Sequence, residues 1–208
     1  MILIGQYDSP FVRRTAVTLG LYGLEYEHKP WSVWGDADRI AEYNPLRRVP
    51  TLVLDDGVVL VETFSIIDYL DELVGPERAL LPQRGPIRCE GLRLTALASG
   101  LADKCVSLLY ESLFRPTPSE NWVHRCEVQI ADTLALLERE REQRNSLYFL
   151  GHKPTHPDVM TTCVVRFVRE AHPRLFDAAK YPRLTANAQA CEALPEFQRA
   201  VQPITNNL

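Results

Sequence analysis

The stretch Tyr7-Asp8-Ser9-Pro10-Phe11-Val12-Arg13-Arg14 follows the apolar run Ile2-Leu3-Ile4, and its reading decides how the chain begins to fold. Serine before proline marks a helix start. The serine side chain accepts from an amide of the first turn, and proline fills a position whose amide has no intrahelical partner. Ile2 to Tyr7 therefore reads as a short buried strand. It leads into a helix from Pro10 to about Gly23, along which Val12, Ala16 and Leu19 recur at helical spacing.

Outward from that junction the signals keep alternating. A second strand is expected near Glu25 to His28, followed by a loop rich in tryptophan. Thr51 to Leu54 and Val58 to Val61 flank Asp55-Asp56-Gly57, a strong hairpin turn signal. Thr63 to Leu73 reads as a helix with Ile66, Ile67 and Leu70 on one face. The order β-α-β-(α)-β-β-α mixes a parallel crossover with an antiparallel hairpin.

Gly75-Pro76 and the prolines from Pro82 to Pro86 punctuate the chain, which places a first α/β domain over residues 1–78 and an all-α domain over residues 86–208. In the second, Leu94, Leu97, Leu101, Cys105 and Leu108 form one apolar stripe, and Val123, Cys126, Ile130, Leu134 and Leu137 another. Thr155-His-Pro-Asp158 fits a capping box, in which each side chain satisfies a backbone donor of the helix start. Shorter helices are expected after Pro182 and Pro195.

Composition bounds the function. The 208 residues are 46% hydrophobic and 24% charged with a formal net charge of −4, the balance of a soluble globular chain. No basic run suits nucleic acid, and no stretch approaches the ~18 apolar residues of a membrane span. No basic region precedes Ile2, so no signal peptide is expected. Five widely spaced cysteines without a CxxC pair suggest free thiols in a reducing cytoplasm. The alternating charges from Glu138 to Arg144 read as a solvated helix end. His152 and His156 stand at i,i+4, yet Pro154 and Pro157 disrupt the helix that metal-ligand spacing needs, so no metal is expected. Ser9 lacks the flanking glycines of a nucleophile elbow.

Three segments can carry chemistry. Ser9 either caps its helix or uses the same position to serve a thiolate, because a helix N-terminus offers unsatisfied N–H groups and partial positive charge. A hydroxyl can accept from the cap and still donate its proton. An ordinary thiol is roughly 3% ionised at pH 7, and lowering its pKa by about two units requires roughly 2.7 kcal/mol. One charge-assisted hydrogen bond plus a helix terminus can supply that. Asn44-Pro-Leu-Arg47-Arg48-Val49-Pro50 precedes an apolar strand; its arginines either bind a carboxylate or sit in solvent. Glu62-Thr63 lies where the hairpin meets the next helix. Thr63 reads as an N-cap, and the pair could also hold a carboxylate and an ammonium together.

Taken in register, these segments resemble the cytosolic glutathione transferase superfamily. Ser9-Pro-Phe-x-x-Arg14 is similar to the S-P-F-x-x-R of tau-class and the C-P-F-x-x-R of omega-class members. Asn44-Pro followed by Val49-Pro50 resembles the segment leading into the family's cis-proline, and Glu62-Thr63 its Glu-Ser pair. Thr155-x-x-Asp158 matches the capping box of the buried helix in the second domain.

The resemblance implies a thioredoxin-like N-terminal domain joined to a helical C-terminal domain, with glutathione as co-substrate. It implies that Ser9 activates the glutathione sulfur, with Phe11 beside it. Val49 would pair with the cysteinyl backbone beside cis Pro50, Glu62 and Thr63 would hold the γ-glutamyl end, and Arg48 the glycyl carboxylate. Arg14 would be structural. Arginine where tau-class members carry lysine keeps the charge and changes the geometry. Serine in place of cysteine cannot form a mixed disulfide, which favours thiolate attack on a hydrophobic electrophile over thiol–disulfide exchange. Tyr7, two residues earlier, is the alternative hydroxyl.

Leu101, Cys105, Tyr110 and Phe114 are candidate lining for the electrophile pocket, and the same spacing also suits core residues. A homodimer is implied by the resemblance. Two alternatives to a transferase stay open: a non-catalytic binding protein of this fold that recognises a protein partner, and a glutathione-dependent isomerase or ether-cleaving enzyme.

Overall fold

The computed structural model describes residues 1–204. Its elements run β1 (Ile2–Ile4), α1 (Pro10–Tyr22), β2 (Glu27–Lys29), α2 (Ala37–Ala41), β3 (Thr51–Val53), β4 (Val59–Val61), α3 (Thr63–Val74), α4 (Pro86–Phe114), α5 (Glu120–Glu142), α6 (His156–Ala171), α7 (Pro182–Glu192) and α8 (Pro195–Arg199), with a 3-10 turn at Pro173–Leu175. The expected α/β region followed by helices is what folds. β1 stops at Ile4 rather than Tyr7, because Gly5 takes φ 128° and turns the chain out of the sheet. β2 begins two residues later than expected, at Glu27, once Met1 O accepts from its N–H.

The chain divides into two compact units. One comprises Met1–Gln83 together with the segment that begins at Leu194; the other is Arg84–Ala193. The first contains a four-stranded sheet in the order β2-β1-β3-β4, with β1 and β2 parallel and the other two pairs antiparallel. The hairpin turns at Asp55-Asp56-Gly57, where Gly57 adopts φ 88° and Val58 N–H donates to Asp56 Oδ1 at 3.0 Å. Successive side chains of a strand face opposite ways. Ile4 and Val53 accordingly cluster with Ile40 of α2 on one face. Leu3 and Leu52, paired across β1 and β3, are buried on the other. α1 and α3 pack on each other. α1 ends as its sequence predicts, at Gly23 in the left-handed region with φ 64°.

The segment from Leu194 departs from the sequence reading, which put all residues after 86 in the helical domain. α8 lies on α1, and buried Arg13 explains why: its Nε donates to Ala200 O at 2.8 Å and its Nη2 to Phe197 O at 3.2 Å. A guanidinium out of water needs such partners, and the carbonyls at the end of a short helix supply them.

In the second unit α4 packs on α5 and α6, and α6 on α7. Of the charges from Glu138 to Arg144, Arg139 and Glu142 are exposed as a solvated end requires, but Glu138 and Arg141 are not. Glu138 is buried and its carboxylate accepts from Arg183 N and Leu184 N, each at 2.8 Å, capping the start of α7. Arg141 is also buried, donating to the carbonyls of Tyr148, at 2.6 Å, and Ser146. Its guanidinium carbon lies 5.2 Å from the Phe149 ring centroid.

At the start of α6, Asp158 accepts from the Thr155 N–H at 2.8 Å, the Thr155 hydroxyl at 2.6 Å, Phe149 N–H at 2.9 Å and Asn187 Nδ2 at 2.8 Å. The expected capping box is therefore also a staple to two other segments. None of the helices is long and apolar enough to cross a membrane among the described residues.

Candidate functional site

Strand register assembles the candidate residues. Ile4 stands opposite Lys29 on one side and Thr51 on the other, and Thr51 opposite Val61. The segments attached at these positions therefore emerge from one end of the sheet: Gly5 to Ser9 after β1, Arg48 to Pro50 before β3, and Glu62-Thr63 after β4. Gly5 lets two of them meet. A Cβ there would lie 2.6 Å from Val12 Cγ2 and 2.7 Å from Val49 Cβ, so only glycine admits α1 and the Val49 loop this close.

Ser9 is the N-cap of α1, with extended backbone (φ −67°, ψ 123°). Its carbonyl accepts from Arg13 N–H at 2.9 Å, and its Oγ accepts from Val12 N–H at 3.4 Å, a long bond. Among the described residues the Ser9 hydroxyl proton has no acceptor. Pro10 has no N–H to offer, and the Phe11 N–H finds no acceptor among the described residues either. One hydroxyl and one amide of this helix start are thus unused donors, the arrangement that favours an anion.

The Val49–Pro50 peptide is cis. Asn44, buried, braces the loop before it: its Nδ2 donates to Arg48 O at 2.9 Å and Thr51 Oγ1 at 3.1 Å, and its Oδ1 accepts from Leu46 N–H at 3.0 Å. Arg47 takes φ 52° and pairs with Asp38 at 2.6 Å. Arg48 instead meets Glu62, Nη1 to Oε1 at 3.0 Å, joining two of the candidate segments. Both side chains are half exposed, so this pair contributes at most about 1 kcal/mol.

Glu62, not Thr63, is the N-cap of α3, and it holds φ 65° without a side-chain capping bond. The cost of a non-glycine residue there is of order 1–3 kcal/mol, and such strain clusters at functional positions. Thr63 is the first helical residue. Its Oγ1 is buried and has no hydrogen-bond partner among the described residues. The cap expected from Thr63 is therefore absent, and a buried hydroxyl is left over.

Tyr7 is committed elsewhere. Its ring stacks on His28 at 3.9 Å and 2°, and its hydroxyl shares a 2.8 Å hydrogen bond with Tyr26. Burial, then the bond and charge of Tyr26, hold the Tyr7 phenol above its ordinary range. Arg14 is buried with its guanidinium over the Phe64 ring at 4.9 Å. Leu101 and Cys105 are buried in the helical unit, where Cys105 O accepts from His172 Nε2 at 2.8 Å; Tyr110 and Phe114 form an edge-to-face pair at 5.7 Å, Phe114 exposed. Burial raises the Cys105 thiol above its usual range. Among the described residues Cys89 is exposed and the other four cysteines are buried.

Sequence reasoning missed Gly5, Asn44 and the Tyr26–His28 pair as site supports. Asn44 carried a signal, since asparagine before proline often closes a loop on itself. Gly5 carried a weaker one as a glycine ending a strand. Tyr26 and His28 carried none.

A mixed sheet whose cis-proline loop, serine-capped helix and strained Glu62 share one end, with a separate helical unit, defines the glutathione transferase fold. A family model described as the N-terminal domain of glutathione S-transferase matches residues 3–78, and one described as its C-terminal domain matches residues 120–186. The chain belongs to the glutathione S-transferase family. It is 32% identical over 140 residues to the GST-like protein YibF of Escherichia coli, covering 66% of this chain and 68% of that one. It is 27% identical over 204 residues to maleylacetoacetate isomerase of Mus musculus, covering 95% and 90%. A glutathione S-transferase of Methylobacterium radiotolerans, solved in complex with glutathione sulfonate, is similar with a TM-score of 0.89 at 26% identity, covering 100% of this chain and 98% of that one.

Proposed function

We propose that this protein is a glutathione transferase in which Ser9 and the start of α1 stabilise the glutathione thiolate for attack on a hydrophobic electrophile. The observation that carries the reading is the set of unused donors, the Ser9 hydroxyl, the Phe11 N–H and the buried Thr63 Oγ1, in segments the register gathers at one end of the sheet. The thiolate would receive the Ser9 proton as a hydrogen bond and the partial positive charge of the helix start. Val49 would offer its backbone to the cysteinyl unit beside cis Pro50. Glu62 and Thr63 would take the γ-glutamyl end, and Arg48 the glycyl carboxylate. Tyr7 is the weaker candidate for activation, because its hydroxyl is already bonded to Tyr26. The electrophile would be a small hydrophobic molecule, and a cytoplasmic homodimer is the expected working form.

A second reading keeps the same thiolate and changes the outcome. The resemblance to the mouse isomerase over nearly its whole length favours a glutathione-dependent isomerase, in which the thiol is returned unconsumed. Calorimetric titration with reduced glutathione at neutral pH tests the shared step: saturable binding in the micromolar to millimolar range is expected. No detectable heat at two temperatures overturns it in favour of a non-catalytic protein-binding role. Glutathione consumed in step with an added electrophile then marks a transferase; turnover of a cis alkene with glutathione undiminished marks an isomerase.

A further inference from the structure

The turn that carries Ser9 is held from three directions. Gly5 N–H donates to Lys29 O at 2.9 Å, and Gly5 O lies 2.8 Å from His28 Nε2, which ties the start of the turn to β2. Ser9 N–H donates to Gln6 O at 3.2 Å, which closes it locally. Between them Tyr7 N–H donates to neither a strand nor a helix. Its acceptor is Gln202 Oε1 at 3.1 Å, 195 residues along the chain.

Gln202 is itself held in place. The two carbonyls gripped by Arg13 belong to Phe197 and Ala200, both buried, and the guanidinium carbon lies 5.5 Å from the Phe197 ring centroid. Further along α1, Gly20 leaves room for Glu196: a Cβ there would stand 3.1 Å from Glu196 Cγ. Arg13 is also the residue whose N–H donates to Ser9 O in the first helical bond of α1. The contacts therefore form a closed circuit, from Ser9 to Arg13, to the carbonyls of Phe197 and Ala200, along the chain to Gln202, to Tyr7 and back to Ser9.

We propose that the C-terminal segment positions the turn carrying Ser9, with Gln202 as the positioning residue and Arg13 as its anchor. The inference rests on the reading of Ser9 given above. α8 is already secured by Phe197 and by the Arg13 guanidinium, so the single bond from Gln202 adds little to packing. What it fixes is the backbone two residues before the hydroxyl. Displacements of about 1 Å in such a group can cost roughly a hundredfold in rate.

Two variants test this. Gln202→Met keeps the length and removes the acceptor; Gln202→Glu restores an acceptor. Amide exchange at Tyr7, which needs no ligand, is expected to quicken about fivefold or more in Gln202→Met, the scale of one lost net hydrogen bond. Exchange in the middle of α1 should keep its rate, and Gln202→Glu should return the protection.

With glutathione bound, Gln202→Met should move the thiolate absorbance titration to higher pH. It should also lower kcat about fivefold at pH 6.5, because a thiol of pKa about 6.5 is half ionised there and one of about 7.5 only roughly a tenth. The glutathione KM should stay within about twofold, whereas a merely structural role would lower the unfolding midpoint and leave the bound thiol alone. Unchanged Tyr7 exchange in Gln202→Met overturns the hold of the tail on the turn. Faster exchange with an unaltered thiol titration and kcat overturns its part in activation. A wild-type protein that binds no glutathione overturns the Ser9 reading instead, and the exchange comparison still decides whether the tail holds the turn.

Discussion

The starts of α1 and α6 are built from the same vocabulary, a hydroxyl residue followed by a proline-containing first turn, and they are finished in opposite ways. At α6 the Asp158 carboxylate takes four donors, from Thr155 twice, Phe149 and Asn187, and is sealed from solvent. At α1 the Ser9 hydroxyl accepts one long bond and gives none, and the Phe11 N–H is unused among the described residues. A saturated helix start spends its polarity on the fold. An unsaturated one leaves it available, and α3 repeats the second pattern through the buried Thr63 Oγ1, which has no partner among the described residues.

The sharpest way to break this comparison is Asp158→Ala. Three partners lose a buried acceptor, and a loss of about 3–5 kcal/mol in unfolding free energy is expected by urea titration. A loss under about 1 kcal/mol would mean that α6 is no more committed to the fold than α1. Ser9→Ala should invert the pattern. With only a long capping bond removed, stability should fall by less than about 1 kcal/mol. The bound-glutathione thiol pKa should rise by about one, leaving roughly tenfold less thiolate below that pKa. An unaltered thiolate absorbance titration would move activation to Tyr7 or to the helix terminus alone.

Thr63→Val removes an orphaned hydroxyl, so stability should hold or improve slightly while glutathione binding weakens about fivefold by calorimetry. Equal affinity would remove Thr63 from the ligand's contacts. The smallest effect concerns the other end of α6, where His172 is the C-cap and its Nε2 lies 2.8 Å from Cys105 O. Burial, the largest influence, holds its imidazole below the usual histidine range, helped by Arg174 and opposed by the Cys105 bond and Glu127. The folded state therefore favours neutral His172. Its contribution is complete above about pH 6.5 and is lost as pH falls through the lower folded value. His172→Gln, which keeps a donor, should flatten the decline of the denaturation midpoint between about pH 7 and pH 5. An identical slope in both proteins would assign that decline to other groups.

What could be read in advance followed from how local its cause is. Asp55-Asp56-Gly57, Ser9-Pro10 and Thr155 to Asp158 act on neighbours within a few residues, and the hairpin, the start of α1 and the start of α6 stand where their sequence puts them. Thr63 misled because hydroxyl residues cap helices so often that a threonine one position inside looks the same. Its place was settled by the positive φ of Glu62, which no composition announces. Glu138 and Arg141 misled for a different reason. Alternating charges ordinarily face water, and only a partner segment about 45 residues away, at Arg183 and Leu184, makes burying Glu138 favourable. Arg13 gripping Ala200, 187 positions further along the chain, is the same case at greater range. The candidate ligand residues were legible as a set through their order along the chain, whereas of the supports that hold them Asn44 and Gly5 left only local hints and Gln202 speaks through three-dimensional contacts alone.

Gly5 has a consequence for how such a protein can change over generations. Its missing side chain is the condition for the Val49 loop and α1 to lie against each other, so that position admits no substitution without moving both. Ser9 bears no comparable duty. A lineage built on this frame is therefore free to trade the group at position 9, and with it the chemistry proposed for that position, while inheriting the packing around it unchanged. In a library randomised at both positions, survivors should be uniform at residue 5 and diverse at residue 9.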